Sequence, residues 1–128
     1  MTSVAMRSLT AAALALAGAG CVNGTTDTVD PLPQSIAACE THNAEVCSTW
    51  TRTRDGYYAR YEQGTEANLV VTRFDADSII IERTDIPGAA PFTTATYRGA
   101  PTGTAVQNGT VTFRQSGVVF NGRWRADW

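Results

Sequence analysis

The stretch RQSGVVFNGRWRADW, residues 114–128, contains the pattern that decides the fold. Apolar side chains recur at every second position, Trp124, Ala126 and Trp128, and charged residues stand between them. A period of two is typical of a strand that has one face in a core and the other in water. The dipeptides Ser-Gly and Asn-Gly within the stretch are typical of two-residue hairpin turns. The stretch therefore predicts short antiparallel strands.

The same pattern extends back along the chain to Ser48. Short runs rich in β-branched and aromatic residues alternate with turn residues. The expected strands are 48–53, 57–63, 67–74, 78–84, 92–98, 110–115, 118–121 and 123–128. Because most connections are short, neighbouring strands are expected to pair antiparallel. We therefore predict an all-β domain at 48–128, an antiparallel meander of about eight short strands that forms a closed or nearly closed barrel, with a β-sandwich as the alternative.

The segment IAACETHNAEVC, residues 36–47, mixes Ala and Glu and is expected to form a short helix or a turn that a disulfide closes. Cys39 and Cys47 are an even pair, as expected in an exported chain. Eight positions on a straight helix span ~12 Å, too far for a disulfide, so we expect the chain to reverse at His42-Asn43. A zinc site here would lack a fourth ligand. We predict a Cys39–Cys47 disulfide, no metal and no cofactor.

Residues 1–20 have the three parts of a secretory signal. Arg7 precedes an apolar run at 9–20, about a dozen positions, whereas a membrane-spanning helix needs roughly 20. The compact charged region before the run leaves both Met1 and Met6 as possible starts. The sequence therefore predicts an exported protein.

The end of this signal, Gly18-Ala19-Gly20-Cys21, resembles the lipobox of bacterial lipoproteins. Small residues occupy the two positions before Cys21, and Gly18 stands where that family usually has Leu. The resemblance implies that Cys21 becomes a lipidated N-terminus on the outer membrane, facing the periplasm. The polar, Pro-interrupted residues 21–35 would be a flexible tether. Cleavage after Ala19 is the alternative, and it would release a soluble secreted or periplasmic protein.

Charge excludes one class of function and leaves several open. The net charge is −2 and no basic block occurs, so the electrostatic footprint of a nucleic-acid-binding protein is absent. We expect a monomeric, non-enzymatic envelope domain that binds a protein or a small ligand. The alternatives are an enzyme inhibitor and a secreted enzyme. Size, lipid anchor and strand-rich body resemble periplasmic lysozyme-inhibitor lipoproteins, whose Ser-rich inhibitory loop has no counterpart here.

Arg83 and Asp85 are the first candidates for ligand contact. They continue the alternation of Ile79 and Ile81, which places them on the expected core face. If they point inward, the two charges must be paired and could hold an anionic ligand at a barrel mouth. The favoured interpretation is different: the strand is ending, and both side chains have reached solvent before the turn DIPG.

Tyr57 and Tyr61 are the second pair of candidates. Together with Tyr58 they concentrate aromatic rings on one strand, and such a cluster can stack against a sugar or another ring. The favoured interpretation is that Tyr57 and Tyr61 share the core face, with Tyr58 exposed beside Arg60.

Overall fold

The computed structural model of this chain describes residues 32–88 and 92–128. These residues form one closed antiparallel barrel in which each strand pairs with the next along the chain and the last pairs with the first. The strands are β1 (Ser35–His42), β2 (Ala44–Arg52), β3 (Gly56–Tyr61), β4 (Glu66–Phe74), β5 (Ile79–Asp85), β6 (Thr94–Gly99), β7 (Ala105–Gln115) and β8 (Val118–Asp127). The predicted all-β closed barrel is confirmed, and closure leaves no strand edge exposed among the described residues.

The segment 36–47 is a β-hairpin, so of the two expected forms the helix is wrong, whereas the chain reversal closed by a disulfide is present. Asn43 has a φ of 70° and forms the reversal between β1 and β2. Cys39 lies directly opposite Cys47, with their Cα atoms 4.0 Å apart, and the two sulfur atoms are bonded. The predicted disulfide and the predicted reversal at Asn43 are confirmed.

Both strands of this hairpin are part of the barrel wall, so the expected start of the barrel at residue 48 is also wrong. The alternating side chains Ile36, Ala38 and Glu40 are buried in the interior. Pairing with β2 on one side and β8 on the other outweighs the helical preference of Ala and Glu.

β8 is one continuous strand, and the expected Asn-Gly turn between two short strands is wrong. Gly122 lies where the backbones of β1 and β8 approach: a Cβ there would be 2.5 Å from the Thr41 carbonyl oxygen. Gly109 is also inside a strand, β7, and a Cβ on it would lie 2.2 Å from Nε1 of Trp124. These glycines mark close approaches within the sheet, not turns. The number of strands is still eight, because the sequence prediction omitted β1 but divided β8 into two strands.

The barrel has two ends that differ in what fills them. At the end where β1 begins and β8 finishes, which we call the closed end, Trp50 and Trp124 stack with ring centroids 5.9 Å apart. Trp50 is fully buried, and Tyr97 packs edge-on against both indoles. Trp128 does not contact this stack and packs against Phe74 instead.

Apolar side chains from all eight strands complete the interior. The predicted inward positions of Trp124 and Ala126 on β8 are confirmed, and so is the buried position of Tyr57 and Tyr61 on β3. The buried apolar residues are Ile36, Ala38, Trp50, Tyr57, Ala59, Tyr61, Ala67, Leu69, Ile79, Ile81, Ala95, Tyr97, Val106, Val111, Phe113, Trp124 and Ala126.

Candidate ligand-binding site

Arg83 and Asp85 point into the barrel, so the expectation that they reach solvent is wrong. Only 6% of Arg83 and 1% of Asp85 are exposed. β5 does not end before them: Asp85 is its last residue, and its backbone N–H donates to the Thr93 carbonyl at 3.1 Å. Because pairing with β4 and β6 continues past Ile81, the alternation carries both charged side chains inward.

Each charge in this interior has a partner. Nε of Arg83 donates to Asp85 Oδ1 at 2.8 Å, and its Nη1 donates to Glu40 Oε2 at 3.0 Å. The other oxygen of Asp85 accepts from the backbone N–H of Thr93 at 3.1 Å. We call Glu40, Arg83 and Asp85 the charged triad.

Two tyrosines extend the triad across the barrel. The Tyr97 hydroxyl donates to Glu40 Oε1 at 2.5 Å and lies 3.1 Å from the Tyr61 hydroxyl. The Arg83 guanidinium lies over the Tyr61 ring, 4.3 Å from its centroid, in a cation–π contact. Side chains from β1, β3, β5 and β6 therefore meet in one hydrogen-bonded network.

Burial dominates the protonation chemistry of this network. It raises the pKa of the Glu40 carboxyl above its ordinary value of 4.5, although the Arg83 charge and the Tyr97 hydrogen bond act in the opposite direction. Burial also raises the pKa of Tyr61 and of Tyr97, so both phenols are protonated near neutral pH.

The triad forms the floor of a cavity of about 300 Å³ at the second end of the barrel, which we call the open end. The β1–β2 and β7–β8 turns lie at this end, opposite the stacked tryptophans. Phe113 and Phe120 stack at 5.2 Å on one wall, and the His42 ring lies 4.5 Å from Phe120. The remaining lining residues are Ala44, Val46, Gln63, Thr65, Thr93 and Gln115.

One of the four candidate contacts is not part of this site. Tyr57 lies toward the closed end, where its hydroxyl donates to the Pro33 carbonyl at 2.6 Å. Tyr61, Arg83 and Asp85 do come together at the floor of the open end.

Two members of the network were not candidates in the sequence. Glu40 shares a face with Ile36 and Ala38, a signal that reading the segment 36–47 as a helix concealed. Tyr97 is buried on the core face of β6, but its hydroxyl partner lies on a strand 57 residues earlier, which no local pattern reveals.

The cysteines offer no thiolate to a metal. Cys39, Cys47 and Glu45 present their ligand atoms within 4.8 Å of one another, but the two sulfur atoms are bonded to each other. His42 Nδ1 faces the Asn121 carbonyl at 2.8 Å, so this ring is fixed to the wall of the cavity.

No protein-family model, curated protein or solved structure matches this chain. Within residues 32–88 and 92–128 there is no helix long and apolar enough to cross a membrane. The expected signal at 1–20, the expected lipidation site Cys21 and most of the expected tether lie outside the described residues.

Proposed function

We propose that this protein is an exported, lipid-anchored envelope protein whose barrel binds a small ligand at its open end and catalyses no reaction. The observation that carries the proposal is the buried Arg83, held on two sides by carboxylates at the floor of an open cavity. Small-ligand sites are concave and largely apolar, with a few convergent polar groups, and roughly 300–1,000 Å³ in volume.

Stability alone gives no reason for this triad. Two carboxylates and a guanidinium lose their hydration on burial, and apolar side chains of similar volume are often as stable or more so. The closed end of the same barrel is filled in that way, with Trp50, Tyr57 and Trp124. A ligand that binds to the polar floor explains why the barrel retains a triad that costs hydration free energy.

The cellular part of the proposal rests on the sequence. The lipobox-like stretch before Cys21 supports export and attachment to the outer membrane through lipid, with the barrel in the periplasm as a monomer. The Cys39–Cys47 disulfide is consistent with an oxidising compartment.

The ligand site is tested by blocking the cavity. Ala44 is exposed and lines the open end, so Ala44→Trp should fill the entrance, whereas Ala37→Trp places the same side chain on the outer wall. The full chain is mixed with the small-molecule fraction of a bacterial envelope extract, and the retained compounds are read by native mass spectrometry. We expect retention by the wild type and by Ala37→Trp, and loss in Ala44→Trp. Retention that is absent, or equal in all three proteins, contradicts the ligand site.

The anchor is tested separately, by growing cells that express the chain with a clickable fatty acid. We expect labelling of the wild type and none of Cys21→Ser, which lacks the thiol to which the lipid is attached. An unlabelled, soluble wild-type protein that begins at Gly20 would show that cleavage follows Ala19 instead.

A further inference from the structure

One hydrogen-bond donor at the floor, Nη2 of Arg83, has no acceptor among the described residues. Both oxygens of Glu40 and both oxygens of Asp85 already accept a hydrogen bond. Arg83 uses Nε and Nη1, and among residues 32–88 and 92–128 nothing accepts from its Nη2. A side chain that is 94% buried therefore presents unused donors, and a ligand that fits this floor supplies an acceptor.

One side of the wall above the floor has the opposite chemistry. Phe113 and Phe120 form a stacked aromatic wall, and Val46 also lines the cavity. One side of the cavity wall is therefore apolar, whereas the floor is charged.

We propose that the ligand is a small amphipathic carboxylic acid, whose carboxylate accepts hydrogen bonds from Nη2 of Arg83 and whose apolar part packs against Phe113, Phe120 and Val46. This inference rests on the ligand site proposed above and names the chemical class that the site binds. Charge-assisted pairing of a guanidinium with a carboxylate is stronger than a neutral hydrogen bond, which favours the acid over its amide.

Charge balance requires the site to take up one proton when the carboxylate binds. With all three members of the triad ionised, the floor carries one positive and two negative charges, and a bound carboxylate would add another negative charge in a desolvated site. Glu40 removes that excess by taking one proton from solution. The Tyr61–Tyr97 contact can take either direction, so Tyr97 can accept from a protonated Glu40 and donate to Tyr61.

The groups that face Glu40 are identified strand by strand. β5 contributes Arg83 and Asp85, and β6 and β3 contribute the two phenols. β2, β7 and β8 contribute no ionisable side chain to the cavity wall. His42 of β1 is the remaining titratable group, so its variant His42→Gln is the control for any dependence on pH.

The experiment is isothermal titration of the full chain with octanoate and with octanamide, its neutral analogue, at pH 6 and pH 8. Octanoate should bind more tightly than octanamide by a factor of about ten or more at pH 6, since one charge-assisted pairing is gained. Octanoate binding should weaken at pH 8. Titrations in two buffers of different ionisation enthalpy should show uptake of about one proton for each octanoate.

Variants assign the two roles. Glu40→Gln imitates the protonated acid, so proton uptake should fall to zero and octanoate should bind more tightly than in the wild type at pH 8. Arg83→Gln should bind octanoate no better than octanamide, and His42→Gln should keep the proton uptake. The wild-type measurements decide the matter even if Arg83→Gln fails to fold.

Three results would overturn the acid ligand: equal binding of octanoate and octanamide, no binding of either, or proton uptake that Glu40→Gln leaves intact. Equal binding that Ala44→Trp abolishes would still support the small-ligand site itself. Only the cavity-blocking experiment can remove that site, so the two failures are distinguishable.

Discussion

The closed and open ends of the barrel are built from the same alternation of side chains, yet they hold opposite chemistry. At the closed end, the fully buried Trp50 packs against Tyr57, Tyr97 and Trp124, with ring centroids 5.2–6.3 Å apart. At the open end, the inward positions carry the charged triad and a cavity. The first arrangement stabilises the fold by removing apolar surface from water, whereas the second costs hydration free energy.

Burial by itself therefore does not identify the residues that stabilise this barrel. Trp50 and Asp85 are equally inaccessible to water. Removal of either should be damaging, but for different reasons: one leaves a void, and the other leaves a charge without its partner. Variants that separate these two reasons test the comparison.

The largest loss of stability is expected at the closed end. Trp50→Ala should lower the free energy of unfolding by about 3–5 kcal/mol, because it leaves a cavity among three aromatic rings. Equilibrium denaturation in urea measures this loss. Val119→Ala, at an exposed position, is the control and should change stability by about 0.5 kcal/mol or less. A cost below about 1 kcal/mol for Trp50→Ala would show that the aromatic cluster is not the stabilising end.

Removal of one charge from the triad should be nearly as costly. Arg83→Ala leaves Glu40 and Asp85 buried without their cation, and a cost of about 3–5 kcal/mol is expected. Arg114→Ala, on the outer face of β7, should cost less than about 1 kcal/mol. Equal small losses in thermal melts of the two variants would contradict the buried position of Arg83.

A triple variant that removes all three charges of the triad can be compared with Arg83→Ala. The triple variant Glu40→Gln, Arg83→Met, Asp85→Asn keeps side-chain size and leaves an acceptor for the Thr93 N–H. We expect it to recover most of the loss seen in Arg83→Ala, because no unpaired charge remains. A triple variant as unstable as Arg83→Ala would mean that the triad stabilises the open end as the tryptophans stabilise the closed end.

The disulfide should make an intermediate contribution on the wall near the open end. Cys39→Ala with Cys47→Ala should cost about 2–3 kcal/mol, because the bond no longer restricts the unfolded chain. Urea denaturation with and without reductant measures it. Reductant should destabilise the wild type and leave the double variant unchanged. A wild type insensitive to reductant, or a free thiol in its intact mass, would contradict the bond.

The smallest effect is a dependence on pH that belongs to the open end alone. Burial raises the pKa of Glu40 above 4.5, so the folded protein holds this proton more tightly than the unfolded chain does. Stability from this group is therefore present below pH 4.5 and is lost as pH rises through the raised value. Glu40→Gln should remove this fall, so its thermal midpoint should gain on the wild type as pH increases from 4 to 8. Parallel midpoints across this range would contradict the shift.

The even pair of cysteines predicted the disulfide, and sequence alternation predicted the all-β barrel and the inward positions of Trp124 and Ala126. It failed where tertiary contact outweighed local preference. The segment 36–47 has helical composition but lies between two strands, and Gly122 follows Asn121 as in a turn but marks a close approach to β1.

The candidate site could be predicted only in part for a related reason. Arg83 and Asp85 lie two residues apart, so their shared face is visible in the sequence. Their burial depends on where β5 ends, and local patterns place element ends poorly. Glu40 and Tyr97 join the site through barrel closure, over separations of 43 and 57 residues. Pairings at such separations follow from topology and not from local periodicity.

The pairing between β1 and β8 limits when the barrel can close during folding. It joins Ala37 to Asp127 and Thr41 to Arg123, so the seam of the barrel links the first and last described strands. At about 5–20 residues per second, ribosomal synthesis delivers β8 several seconds after β1. During that time β1 can pair only with β2, and its other edge stays open. The barrel therefore cannot close before β8 is synthesised, and deletion of β8 would open the seam, exposing the edges of both β1 and β7 to pairing with other chains.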